Sequence, residues 1–198
     1  MTTENATAPG RRPRTSRAQI SATAIDLFTT VGFEETSVDD IAEAVGIARR
    51  TLFRYFPSKN AIPWGEFDVH LDDLRALLAK IPDDLPIAEA VTRALIAFNE
   101  VPAEFLDGHR RRMQLLLGVP SLQAHSMLMY ADWRHVIAEF CAHRLGLDEG
   151  DHLPQTIGWL CLGTALAAYE QWLAHPDADL DALIRAGCAT LAAGLQGL

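Results

Sequence analysis

Seven consecutive residues, Arg49 to Tyr55, carry three guanidinium groups, one hydroxyl and one phenol. Guanidinium groups bind phosphate oxygens strongly and can pair with guanine O6 and N7. That chemistry makes Arg49, Arg50, Thr51 and Tyr55 candidates for base or groove contact on DNA. Ser37, Arg54 and Lys59 are candidates for contacts that position the nucleic-acid backbone through phosphate. Lys59 and the amides after Ser58 would form a positive helix N-terminus suited to one phosphate.

Two short helices joined by a turn would have to present these groups. Ser37 reads as an N-cap, and Asp40 three residues later completes a capping box. Val38, Ile41, Ala42 and Val45 follow helical spacing and predict one buried face. Gly46 can adopt the positive φ of a tight turn. Ile47, Leu52, Phe53 and Phe56 then resume an apolar face, which leaves the arginines outward. Pro57 ends the second helix, because it disfavours helical geometry in the residue before it, and Ser58 can cap the next.

Charge is divided along the chain. The whole carries 17 Lys and Arg against 26 Asp and Glu, a net charge of −9. The first 60 residues hold eight basic and seven acidic groups, so the excess of acid lies beyond them. A helix-turn-helix sets its second helix in the major groove with N-terminal residues at base edges. Residues 1–13, with Pro9, Gly10 and Pro13, read as a disordered arm. Its arginines would either enter a narrow minor groove or simply solubilise the tail.

A first helix is expected from about Ser16 to Val31, with Gly32 just past its end. A fourth runs on from Ser58 and carries Trp64, Phe67, Leu71, Leu74 and Leu78 at spacings of three and four. Pro63 and Gly65 lie near its start, where a proline costs about 3 kcal/mol in an ideal helix, so the Ile-Pro-Trp-Gly run predicts a kink usable as a hinge. Further helices follow at about 86–100, 103–117, 121–145, 154–175 and 179–195. Nothing reads as a strand, so the expected fold is all-α with nine helices. The last two are rich in glycine and alanine, which permits close helix approach.

Several function classes lose support. No apolar run reaches the ~20 residues that span a bilayer, and no signal segment is present, so a cytoplasmic protein without membrane contact is expected. Cys141, Cys161 and Cys188 are odd in number and far apart, which suits buried free thiols. The seven histidines never fall three or four apart, so no helical metal pair is expected. An all-helical enzyme or carrier acting on an acyl substrate is the rival class. It lacks a nucleophile elbow, a phosphate loop or an evident carboxylate pair.

The stretch AIDLFTTVGFEETSVDDIAEAVGIARRTLFRYFPSK resembles the TetR family of bacterial transcriptional regulators. Gly32-Phe33, Thr36-Ser37, Ile41-Ala42, Gly46 and Phe56-Pro57-Ser58-Lys59 carry the likeness. The chain departs from the family pattern at Ala48, Arg50 and Phe53, which leaves the borrowed base-contact scheme open. The resemblance implies a DNA-binding domain over 14–58 and a ligand-binding and dimerisation domain over 59–198. It implies a homodimer through the last two helices, double-stranded palindromic operator DNA as partner, a small-molecule effector, and no cofactor. The run from Phe56 to Asp68 resembles a narrower group, the regulators found with mycofactocin biosynthesis genes. That likeness implies a repressor responding to long-chain acyl-CoA. Candidate ligand-binding residues are Trp64, Phe67, Leu71, Phe98, Phe105, Met113, Met127, Tyr130, Trp133 and Trp159. Arg110, Arg111 and Arg112 are read as a solvated face. Helical geometry lets at most two of them meet the phosphates of one CoA group.

Overall fold

Ser16 accepts a hydrogen bond from the Gln19 amide at 3.1 Å and so starts α1 (Arg17–Thr30). The computed structural model describes residues 15–194 and, among these, contains nine α-helices and no strand. The expected arm over 1–13 and the tip of the expected ninth helix lie outside the described residues. Ser37 caps α2 (Val38–Val45), and the Asp40 carboxylate accepts from the Ser37 amide at 2.8 Å, so the predicted capping box is present. Those hydrogen bonds hold the Asp40 carboxyl below its ordinary pKa. Gly46 ends α2 at φ +75°, and the Ile47 amide donates back to Ala42 O at 2.9 Å. The chain then enters α3 (Arg49–Tyr55), which has no side-chain cap, because Ala48 has no oxygen to offer.

The expected fourth helix is two elements. Residues Lys59–Trp64 form a 3-10 turn, and Ser58 makes no side-chain cap hydrogen bond to it. Helix α4 (Phe67–Leu78) begins only afterwards. Between them Gly65 sits at φ +62°, ψ −123°, a conformation open to glycine and strained for other residues. Pro63 is therefore not the kink of one helix. It lies buried inside a 3-10 turn, and the left-handed residue that redirects the chain is Gly65.

The rest is α5 (Ile87–Phe98), α6 (Leu106–Gly118), α7 (Pro120–Leu145), α8 (His152–Ala174) and α9 (Leu180–Ala192). A short 3-10 turn, Ala103–Phe105, precedes α6. Two apolar cores result. One joins Ile20, Phe28, Ile41, Leu52, Phe56 and Ile62, and it includes Leu122 from α7. The other is built by α4 to α9 around Leu74, Leu95, Leu116, Ile137, Trp172 and Ile184. Polar links cross between the cores. Arg17 holds Asp68 at 2.7 Å, Arg111 holds Asp26 at 3.2 Å, and the Ser121 hydroxyl donates to Glu34 at 2.8 Å.

The Gly65→Ala variant tests where the chain turns. An added Cβ would meet Ser21 Oγ at 3.5 Å, an ordinary contact, so the cost is backbone strain. Its unfolding free energy in urea titrations is expected to fall by about 1–3 kcal/mol. A loss well below about 1 kcal/mol would mean that position 65 is unstrained and would place the break elsewhere.

Candidate nucleic-acid interface and effector cavity

Helix α3 has one face committed to the core and one to solvent. Leu52 and Phe56 are wholly buried, each worth about 1.5–3 kcal/mol in apolar burial. Arg49, Arg50 and Arg54 are exposed, and Thr51 is half-buried. Arg49 reaches Asp39 of α2 at 2.6 Å and lies 5.6 Å from the Phe53 ring centroid. Arg50 and Arg54 make no hydrogen bond or ion pair among the described residues. Phe53, expected in the buried face, is 40 % exposed and stands among the arginines. Its neighbours Leu52 and Phe56 fill the space beneath α3, and successive helical residues point about 100° apart.

Two of the predicted contact residues spend their polar groups inside the fold. The Tyr55 hydroxyl donates to Thr15 O at 2.9 Å, tying α3 to the chain entering α1. Lys59, expected at phosphate, donates to Phe33 O at 2.6 Å and Thr36 O at 3.0 Å, with its ammonium 4.3 Å from the Phe33 centroid. It clips the loop that delivers Ser37. The exposed Ser37 side chain stands at the N-terminus of α2, two residues before Asp39, the partner of Arg49.

A cavity of about 890 Å³ lies between α1, α4, α5, α6, α7 and α8. Of the candidate ligand-binding residues, Trp64, Phe67, Phe98, Phe105, Met113, Tyr130 and Trp133 line it. Edge-on aromatic pairs build one wall. Trp64 lies 4.8 Å from Phe67 and 5.6 Å from Tyr130, and Phe67 lies 6.5 Å from Phe98. Leu71, Met127 and Trp159 are not part of the lining. Leu71 is buried in the α4 core. Met127 is 49 % exposed, and Trp159 is 50 % exposed on the outside of α8, beneath the Arg134 guanidinium at 3.5 Å.

On the polar side of this cavity the sequence points to Arg111 and Arg112 but not to Asn99 or His109. Asn99, His109, Arg111 and Arg112 line it, as does Ile25 from α1. The Tyr169 hydroxyl donates to Asn99 Oδ1 at 2.8 Å, which leaves its oxygen to accept from His109 Nε2 at 2.9 Å. Burial, then the nearby Arg112 charge, lowers the His109 pKa to about 4, so this histidine is neutral at pH 7. The three arginines are not one solvated face. Arg110 donates to Trp172 O at 2.7 Å and stacks on its ring, Arg111 pairs with Asp26, and Arg112 turns inward. No local pattern marks Asn99, His109 and Tyr169 as partners, because 60 and 70 residues separate the bonded pairs.

Small residues of α8 and α9 serve two purposes. Gly158 abuts the Arg134 carbonyl, where a Cβ would stand 3.1 Å away, and Gly187 abuts Thr164. Those two pack within the chain. On the other side, Leu153, Leu160, Gly163 and Ala167 form an exposed stripe along α8, and Ala182, Ala186 and Ala189 form one along α9. Among the described residues no helix is long and apolar enough to cross a membrane.

Residues 85–196 match the family described as the MftR C-terminal domain, and residues 20–62 match the tetR family of bacterial regulatory proteins. A candidate mycofactocin biosynthesis transcriptional regulator, MftR, of Mycobacterium tuberculosis is 49 % identical over 189 residues, 96 % of each chain. Thermus thermophilus FadR, a TetR-family repressor solved with lauroyl-CoA, superposes with a TM-score of 0.59 at 22 % identity, covering 92 % of this chain and 96 % of FadR. Bacillus subtilis FadR, solved with stearoyl-CoA, gives 0.64 at 15 % identity, over 89 % and 98 %. With both domain families matched and nearly the whole length shared with one relative, the chain belongs to the TetR family of bacterial transcriptional regulators.

Proposed function

We propose that the protein is a repressor that reads a palindromic double-stranded operator as a homodimer and is released by an apolar acyl effector. The observation that carries the DNA reading is the outward cationic face of α3 in a chain of net charge −9. Arg49, Arg50 and Thr51 take the base edges, with Phe53 beside them as an apolar surface suited to a thymine methyl. Arg54 and Ser37 take phosphate. Tyr55 and Lys59 act from behind, by holding α3 and the Ser37 loop in place. The reading unit is 14–58, and the effector and dimer unit is 59–198.

Regulation of mycofactocin biosynthesis genes is supported by the 49 % identical relative. Long-chain acyl-CoA as effector is supported by the aromatic cavity, whose size suits a single ligand, and by the two FadR folds solved with such molecules. The effector acts by binding more tightly to a conformer whose two reading heads no longer match the half-site spacing. A free long-chain fatty acid is a second reading, favoured by one feature. Asp73, Glu100, Glu104 and Asp107 are exposed at the cavity, and Arg111 there is already paired with Asp26, so the rim offers little to the phosphates of CoA.

Operator binding is checked by gel shift or anisotropy on the chain's own upstream DNA. Arg50→Ala should weaken specific binding about tenfold or more, and Arg54→Ala should weaken it on all sequences while reducing the salt slope by about one. Unchanged affinity in both would overturn the assignment of α3 as the reading helix. Oleoyl-CoA added to the wild-type complex should release the operator. Intact complex at saturating oleoyl-CoA would remove it as effector, and its turnover would favour the rival acyl-processing enzyme.

The dimer is assigned to the exposed stripes of α8 and α9. Leu160→Asp places a charge in that face and should shift the protein from dimer to monomer in sedimentation velocity. A dimer that survives this change would move the interface to another surface.

A further inference from the structure

Three successive arginines leave α6 in three directions, and only two have partners in the fold. Arg110 is held by the Trp172 carbonyl and ring, and Arg111 by Asp26. Arg112 forms no ion pair or hydrogen bond among the described residues, and its Nε is buried without a partner. Burial alone accounts for the downward pull on its pKa, with no carboxylate acting on it. A guanidinium remains cationic under such conditions, and a partly buried cation without a counter-charge is destabilising. Arg112 nonetheless lines the same cavity as Trp64 and Tyr130.

Its position adds a second observation. One guanidinium nitrogen of Arg112 lies 3.9 Å from where a Cβ of Gly65 would stand, and Ser21 Oγ lies 3.5 Å from that same point. Ser21 belongs to α1, is fully buried, and its hydroxyl has no partner among the described residues. Helix α6, the Gly65 turn and the first helix of the reading unit therefore meet at one polar spot beside an otherwise aromatic wall.

We propose that Arg112 holds the acyl oxygen of the effector, the carboxylate of a fatty acid or the thioester carbonyl of an acyl-CoA, at this three-way junction. The hydrocarbon chain then runs along Trp64, Phe67, Phe98 and Trp133. A ligand oxygen supplies the acceptor that the fold withholds from Arg112. Arg112 is a lining side chain that also reaches the Gly65 turn, and α1 lines the cavity through Ala22, Ile25 and Asp26, so occupancy is felt by the reading unit. This assignment rests on the reading of the cavity as an acyl-effector site.

The test uses the 198-residue protein, oleate and oleoyl-CoA, and the variants Arg112→Met and Arg112→Lys. Affinity is read from quenching of tryptophan fluorescence, and stability from thermal melts without ligand. Arg112→Met keeps the stem and removes the charge. It should bind the acyl ligand at least about tenfold more weakly, yet melt no lower than the wild type. Arg112→Lys should recover part of the affinity, because an ammonium still donates to an oxygen. Operator affinity without ligand should be unchanged in both, while release by ligand should need more of it. A loss with oleate alone identifies a carboxylate, and a loss with both ligands identifies the shared acyl oxygen. Wild-type affinity in Arg112→Met, or a lowered melting temperature with unchanged affinity, would overturn the proposal and leave Arg112 a packing residue. Failure of the wild-type protein to bind either ligand would overturn the acyl reading of the cavity and this assignment with it.

Discussion

Helix α3 is seven residues long, well below the length at which an isolated helix persists in water. It exists because Leu52 and Phe56 are fully buried, and everything the exposed arginines do depends on that burial. The capping box on α2 and the αL turn at Gly46 set the angle at which those two side chains enter the core. Tyr55 and Lys59 brace the same helix and loop from the side facing away from solvent. Residues that the sequence marks as candidate DNA contacts thus divide into those left exposed on α3 and those whose polar groups hold the helix and its loop in place.

The core under α3 is not sealed within the first three helices. Leu122 of α7 is fully buried in it, and Leu115 and Val119 pack against it. The platform of α3 is therefore partly built by the α6–α7 corner. The same α6 supplies Arg111 and Arg112, one pairing with α1 and the other lining the cavity. A displacement of α6 has direct physical routes to α1 through packing, an ion pair and the Gly65 junction.

Much of the cavity's apolar side was legible as a helical stripe of large residues. Trp64, Phe67, Phe98, Met113, Tyr130 and Trp133 do line it. Met127 and Trp159 belong to the same residue types yet face outward, because residue type does not say which face of a long helix meets which neighbour. Within the Ile-Pro-Trp-Gly run the chain turns at Gly65 and not at Pro63, for a related reason. A proline signals strain only if the surrounding backbone is α-helical, and around Pro63 it is a 3-10 turn that Gly65 terminates.

From the sequence alone came the features carried by neighbours in the chain: the Ser37–Asp40 box, the Gly46 turn, the basic face of α3 and the all-helical class. Each depends on hydrogen bonds or steric limits acting over three or four residues, so local order suffices to specify it. Tertiary structure alone decided the inward turn of Arg112, the Asn99–Tyr169–His109 chain, the exposed position of Phe53 and the split use of the small residues on α8 and α9. Those outcomes depend on which helix arrives from dozens of residues away, and burial and pairing are properties of that arrival.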